Sequence, residues 1–183
     1  MPPLNAIQEE IVLTAIGYLG QKEISGNKGF MQADFEERMK AVGWESGQAW
    51  CAYFAELVWK EAYHKFTLNA FPVLDRLFSA MAVKTWNQFT KSGQFVYDRN
   101  PAPGDLVIWQ HFISGNPDWK GHAGIVIDVP NLLSFISIEG NTNAQGGREG
   151  EVVGKKERSM QFLTDNGLRL LGFIHPTEPY LFT

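Results

Sequence analysis

The sequence predicts an α+β domain, with helices first and an antiparallel sheet after them. Three observations carry this expectation. Apolar residues recur at helical spacing through the first half of the chain. Short apolar runs bounded by turn residues fill the second half. The 183 residues, 44% hydrophobic and 20% charged, suffice for one substantial core.

The elements follow in order. Ile7, Ile11, Ala15, Tyr18 and Leu19 share one helical face, and residues 26–29 (GNKG) mark a turn. A second helix is expected over about 31–42, where Phe35 and Met39 lie four apart. Residues 43–47 (GWESG) read as a loop, and a third helix over about 49–64 carries Cys51 in its first turn. A fourth follows Pro72 and includes Val73, Leu77, Met81 and Trp86 before Ser92 and Gly93. Strands are expected at 106–109, 122–129, 133–139, 151–155 and 170–175. Turn residues separate them: Pro130-Asn131, Gly140-Asn141, Gly146-Gly147 and Asp165-Asn166-Gly167. With no repeat or linker visible, the chain reads as one domain over 1–183: a helical lead-in (1–42) and a core (43–176).

Composition excludes several classes of function. A single cysteine forms no internal disulfide and is too few for a thiolate-rich zinc site. A net charge of −4 argues against a nucleic-acid partner, because phosphate neutralisation needs a basic excess. The apolar stretch at 11–19 follows Glu9 and Glu10 rather than a basic segment, so it does not read as a signal peptide. It also falls well short of the ~20 apolar residues of a membrane span. Synthesis in the cytoplasm, with no membrane partner, is therefore expected.

The lone thiol raises the question of chemistry. A helix N-terminus stabilises a thiolate through its unpaired N–H groups and dipole. Taken alone, the position of Cys51 suits a buried structural thiol better. A nucleophile also needs a base. Among His64, His111, His122 and His175, the candidate is His122, which opens the strand GHAGIVID; His111 comes second. If 129–132 is a four-residue hairpin loop, Asp128 faces Leu133, and His122 falls opposite Glu139 on the same face of the sheet. Glu139 can then orient the imidazole, and Asn141, two residues on, offers a neutral amide to the same region.

At these residues the sequence resembles the CHAP family, the cysteine- and histidine-dependent amidohydrolases and peptidases of bacterial cell walls. The matching pieces are GQAWCAYFAELVW, PAPGDLVIW, GHAGIVIDV and ISIEGNTNAQGGREGEVVGKKER, in the family's order. The resemblance implies a papain-like α+β fold with the Cys helix packed on the sheet. It matches Cys51 to the nucleophile, His122 to the base, Glu139 to the orienting residue and Asn141 to a polar residue of the same site. Some members bind calcium through acidic residues before the nucleophile. Here Glu45 is the one carboxylate in that stretch, so no metal or other cofactor is expected. Many lytic members also carry a separate wall-binding module, for which this chain has no room.

The expected activity is acyl transfer from a peptidoglycan amide through a thioester on Cys51, by an amidase or an endopeptidase. The Cys51 N–H and the Gln48 amide are candidate oxyanion donors. Trp44, Trp50 and Trp119 are candidate walls of a substrate groove, with plain packing as the alternative. Lys155, Lys156 and Arg148 are candidate contacts for wall carboxylates, or simply solvated charges. Two other readings stay open: a non-catalytic module binding wall fragments or a protein, and a cysteine protease acting on proteins. A monomer is expected. Without a visible signal peptide, delivery is expected through phage-type release or dedicated secretion, the latter implying an immunity protein as partner, the alternative being a leader already removed from this chain.

Overall fold

A computed structural model describes residues 4–142 and 150–182. Helix α1 (Ala6–Gly17) starts at a reciprocal cap. Asn5 accepts from the Gln8 N–H, and the Gln8 side chain accepts from the Asn5 N–H. A two-stranded hairpin of β1 (Glu23–Ile24) and β2 (Gly29–Phe30) follows, where the sequence showed only its GNKG turn. Helices α2 (Ala33–Ala41) and α3 (Cys51–His64) come next, and α3 is buried along most of its length.

The expected fourth helix is two: α4 (Phe71–Leu77) and α5 (Ala82–Ser92). Phe78 is extended, and Thr85 Oγ1 both accepts from the Ser79 N–H and donates to its carbonyl, so the chain turns out of the helix there. Met81 therefore lies outside either helix. Gly93, at φ 68°, ends α5 in the left-handed conformation that glycine adopts cheaply.

The second half is a six-stranded antiparallel sheet in the order β3-β8-β4-β5-β6-β7. Its strands are β3 (Tyr97–Asp98), β4 (Leu106–Ile113), β5 (Asn116–Asn131), β6 (Ser134–Thr142), β7 (Val152–Ser159) and β8 (Gly167–Ile174). Helices followed by an antiparallel sheet make this an α+β fold of the kind expected. The main apolar cluster lies between helices and sheet, built on Phe54, Trp59, Phe89, Ile108, Ile125 and Ile138. A smaller cluster of Val107, Trp109, Val126, Phe135, Leu170 and Phe173 is covered by Met160 and Phe162. No described helix is long and apolar enough to cross a membrane.

The expected β5–β6 register is corrected by two residues. The strands extend to a tighter turn at Leu132-Leu133, with irregularities between Val126 and Asn131. Asp128 faces Ile136, not Leu133, and Ile125 faces Ile138. Continuing that pairing sets Glu139 beside Gly124 rather than His122. A Cβ on Gly124 would come within 2.7 Å of Glu139 Cγ, which is why this position has no side chain. A slip of two preserves the pleat's parity, so Glu139 remains on the His122 face, on the diagonal.

Gly140 seats the Cys helix on the sheet. A Cβ there would lie 2.6 Å from the Trp50 ring and 2.7 Å from Phe54 Cβ. Gly140→Ala is expected to cost about 1–3 kcal/mol through overpacking. It should also slow alkylation of Cys51, since the residue before it is displaced. Thermal melting and the alkylation rate check this; an unchanged melting midpoint would remove Gly140 as the seat.

Candidate active site

Cys51 is the first residue of α3, after Trp50, which caps the helix with no side-chain hydrogen bond. The first-turn N–H groups are therefore left to polarise the thiol. The indole Nε1 of Trp50 donates to Glu23, a buried carboxylate in β1 that also accepts from the Asn27 N–H. This bond fixes the residue just before the thiol. Sequence reasoning missed Glu23, whose partner is 27 residues away along the chain.

His122 and Glu139 are wholly buried. His122 Nε2 and Glu139 Oε2 are 2.8 Å apart. With Nε2 held by the carboxylate, Nδ1 is the nitrogen left over. It has no hydrogen-bond partner of good geometry, and Cys51 faces the ring closely enough for strong charge coupling. Burial pushes the thiol up, but the facing imidazolium and the N–H groups of Ala123 and Ala52 outweigh it and bring it below the usual thiol range. Burial alone would lower His122; the thiolate and Glu139 reverse this and push it up to about 9. Burial would likewise raise Glu139, but its bonds to Arg158 and the charge of His122 hold it well below the usual carboxylate range.

The structure thus brings three of the candidate residues together. It adds two that sequence reasoning missed: Ser137, whose hydroxyl donates to Glu139 Oε1 at 2.6 Å, and Arg158, which grips the carboxylate from β7. The signal for Arg158 lay in the pleat of β7, where Arg158 pairs with the core residue Phe135 and so shares the face of Glu139.

Residues 43–141, more than half of the chain, match the family model of the CHAP domain. The chain belongs to the CHAP family. Its members are in general hydrolases of the cell wall, acting as amidases and peptidases. Comparisons with curated proteins and with solved structures returned no match.

Other candidate residues of this CHAP chain are placed as follows. Asn141 is 3% exposed and left-handed at φ 53°. It borders a polar hollow of about 170 Å³ with Glu23, Gly26, Asn27, Gly150 and Glu151, rather than a hydrogen bond to His122. Gln48 Oε1 accepts from Tyr53 Oη at 2.6 Å, which pins the amide and leaves its NH2 as a donor. The expectation that Trp44 and Trp50 wall a groove is corrected. At 2% and 0% exposure both pack with Phe30, and the Trp44 Nε1 donates to the Gln48 carbonyl. Trp119, 64% exposed under Lys120, remains available to a ligand.

His111 lies 3.6 Å from Asp118, beyond hydrogen-bond range. His175 bridges Asp105 (2.9 Å) and Asp98 (3.1 Å), clipping the PAPGD turn to the sheet. His64 stacks edge-on against Phe71 at the end of α3. Lys155 and Lys156 lie on β7, and Arg148 lies outside the described residues. Among the described residues, no group of three or more His, Cys, Asp or Glu side chains is arranged to hold a metal.

Proposed function

We propose that this chain hydrolyses an amide bond of peptidoglycan, with Cys51 as nucleophile, His122 as general acid and base, and Glu139 as the residue orienting it. The observation that carries this reading is the convergence of a helix-N-terminal thiol with a buried imidazole whose far nitrogen is fixed by a carboxylate.

The resting site is a thiolate–imidazolium pair. The thiolate attacks the amide carbonyl, and the oxyanion is received by the Cys51 N–H and the Gln48 amide. His122 Nδ1 gives its proton to the leaving nitrogen, the C–N bond breaks, and a thioester remains. His122 then takes a proton from water, which attacks the thioester, releases the acid and restores the pair. Asn141 supplies a polar border to the site, and Trp119 an exposed indole on which a glycan or stem can rest. The protein acts as a monomer in the wall, after phage-type release or dedicated secretion, and in the latter case an immunity protein covers Cys51.

Digestion of purified sacculi tests the reading, with mass spectrometry separating cleavage between sugar and peptide from cleavage within the peptide. Casein digestion without wall digestion would make it a protease of proteins instead.

The ion pair predicts a pH profile. The lowered Cys51 and the raised His122 widen the range over which the pair persists, up to about pH 9, where the imidazolium is lost. Hydrolysis should therefore be sustained through neutral pH and fall above about 9. Alkylation by iodoacetamide should slow less between about pH 8 and pH 6 than the about 80-fold expected of an ordinary thiol. A rate that tracks an ordinary thiol would sink the ion pair.

A further inference from the structure

We infer that Arg158 is a positioning residue of this site, holding Glu139 as an oriented carboxylate so that Glu139 can fix the His122 ring. The inference rests on the mechanism proposed above for Cys51 and His122, and goes beyond it to a residue outside the matched segment 43–141.

The geometry is a closed set of bonds. Arg158 Nε donates to Glu139 Oε1 at 2.8 Å, and Nη2 donates to Oε2. Ser137 Oγ donates to Oε1, and His122 Nε2 meets Oε2. Each carboxylate oxygen thus has two partners, and the four acceptor positions of an ionised carboxylate are filled. A proton on Glu139 would displace one of them. The guanidinium also lies 5.4 Å from the Trp109 ring centroid, and that ring lies against both His122 and Phe135, so a second contact holds the arginine beside the site.

Charge gives the second reason. In the reactive state the site holds a thiolate, an imidazolium and a carboxylate, with His122 and Glu139 fully buried. Without Arg158 these three leave one net negative charge in a region with little water. With Arg158, whose side chain is 17% exposed, the four sum to zero. Among the described residues, the charged groups facing Glu139 are His122 from β5 and Arg158 from β7, with Cys51 of α3 beyond the ring. A neutral cluster is far cheaper to bury than an unpaired charge. Arg158 touches no reacting atom; it acts through Glu139. A lysine offers the charge without the two-point grip.

The test reads the thiolate directly, by iodoacetamide alkylation of Cys51 against pH in wild type, Arg158→Met and Arg158→Lys, alongside kcat and KM for wall hydrolysis. Arg158→Met should move the acid limb of alkylation upward by about one unit, read from the full pH titration of each variant against its own alkaline plateau. It should lower kcat at least about tenfold with KM little changed, since an oriented base acts in the transition state. Arg158→Lys should restore most of the acid limb but not kcat. A folded Arg158→Met protein with wild-type alkylation and kcat overturns the inference. If the methionine variant does not fold, Arg158→Lys decides alone: wild-type kcat there overturns it, and a lowered kcat with a near-normal acid limb supports it. Alkylation needs no wall substrate, so a wild-type protein that cleaves no sacculus would defeat the proposed function while leaving the Arg158 test readable.

Discussion

Cys51→Ala is expected to lower hydrolysis of purified peptidoglycan by about 10⁴-fold or more, the scale seen when a covalent nucleophile is removed. The fold should survive. Removing the thiol lets His122 become neutral, while Glu139 and Arg158 still compensate each other, so no unpaired charge is left inside. The alanine methyl also fits within the first turn of α3. Circular dichroism and the melting midpoint should stay near wild type while amine release from sacculi disappears. Cys51→Ser should be nearly as inactive, because a neutral hydroxyl gains far less from the facing imidazolium than a thiol that ionises. Full activity in the alanine variant would end the mechanism, whatever the state of its fold.

Glu139→Gln should damage both activity and stability. The amide keeps one accepting oxygen for Ser137 and Arg158, but its NH2 group then confronts His122 Nε2 and Arg158 Nη2, both placed to donate. His122 can relieve the conflict by moving its proton to Nδ1. That is the wrong tautomer for accepting the Cys51 proton, and a change of this kind costs about 10²–10⁴-fold in kcat. Arg158 meanwhile loses its counter-charge. Because it is partly exposed, the cost falls toward the lower end for a broken buried pair, about 3 kcal/mol. In a chain of this length that is about 6–12 °C in melting midpoint.

The pH dependence of that loss has a definite sign. The folded pKa of Glu139 is depressed, so its contribution is complete above the usual carboxylate value of 4.5 and disappears as pH falls through the folded value. Wild type and Glu139→Gln should differ most at neutral pH and converge in acid. A gap that stays constant into acid would show that the carboxylate's charge is not what stabilises the site.

The placement of Cys51, His122 and Glu139 was legible because each is marked by local pattern. The thiol follows a glycine-bearing loop into a helix, the histidine opens an apolar strand between small residues, and strand pairing carries the glutamate to the same face. The register itself was two residues off, since bulges between Val126 and Asn131 are invisible in an alternation count. The parity of the pleat made that error harmless. Arg158 and Glu23 were not legible in the same way. Their partners sit on other strands or helices, and a basic or acidic residue in a short strand looks like a solvated charge until the neighbouring element is placed. Trp44 and Trp50 flank the nucleophile along the chain, but nearness in sequence is not exposure, and both turn inward.

Trp50 also bears on how the molecule is held together. Its ring lies 5.1 Å from Phe30 and 6.2 Å from Phe35, and its indole is tied to Glu23, all contributed by the lead-in before residue 43. Ile7, Ile11, Ala15 and Met39 join the same apolar cluster. The border of family resemblance therefore cuts through a single cooperative unit. Substitutions in the lead-in are expected to disturb the Cys51 site at long range, and the first 42 residues belong to the scaffold of that site rather than to its surroundings.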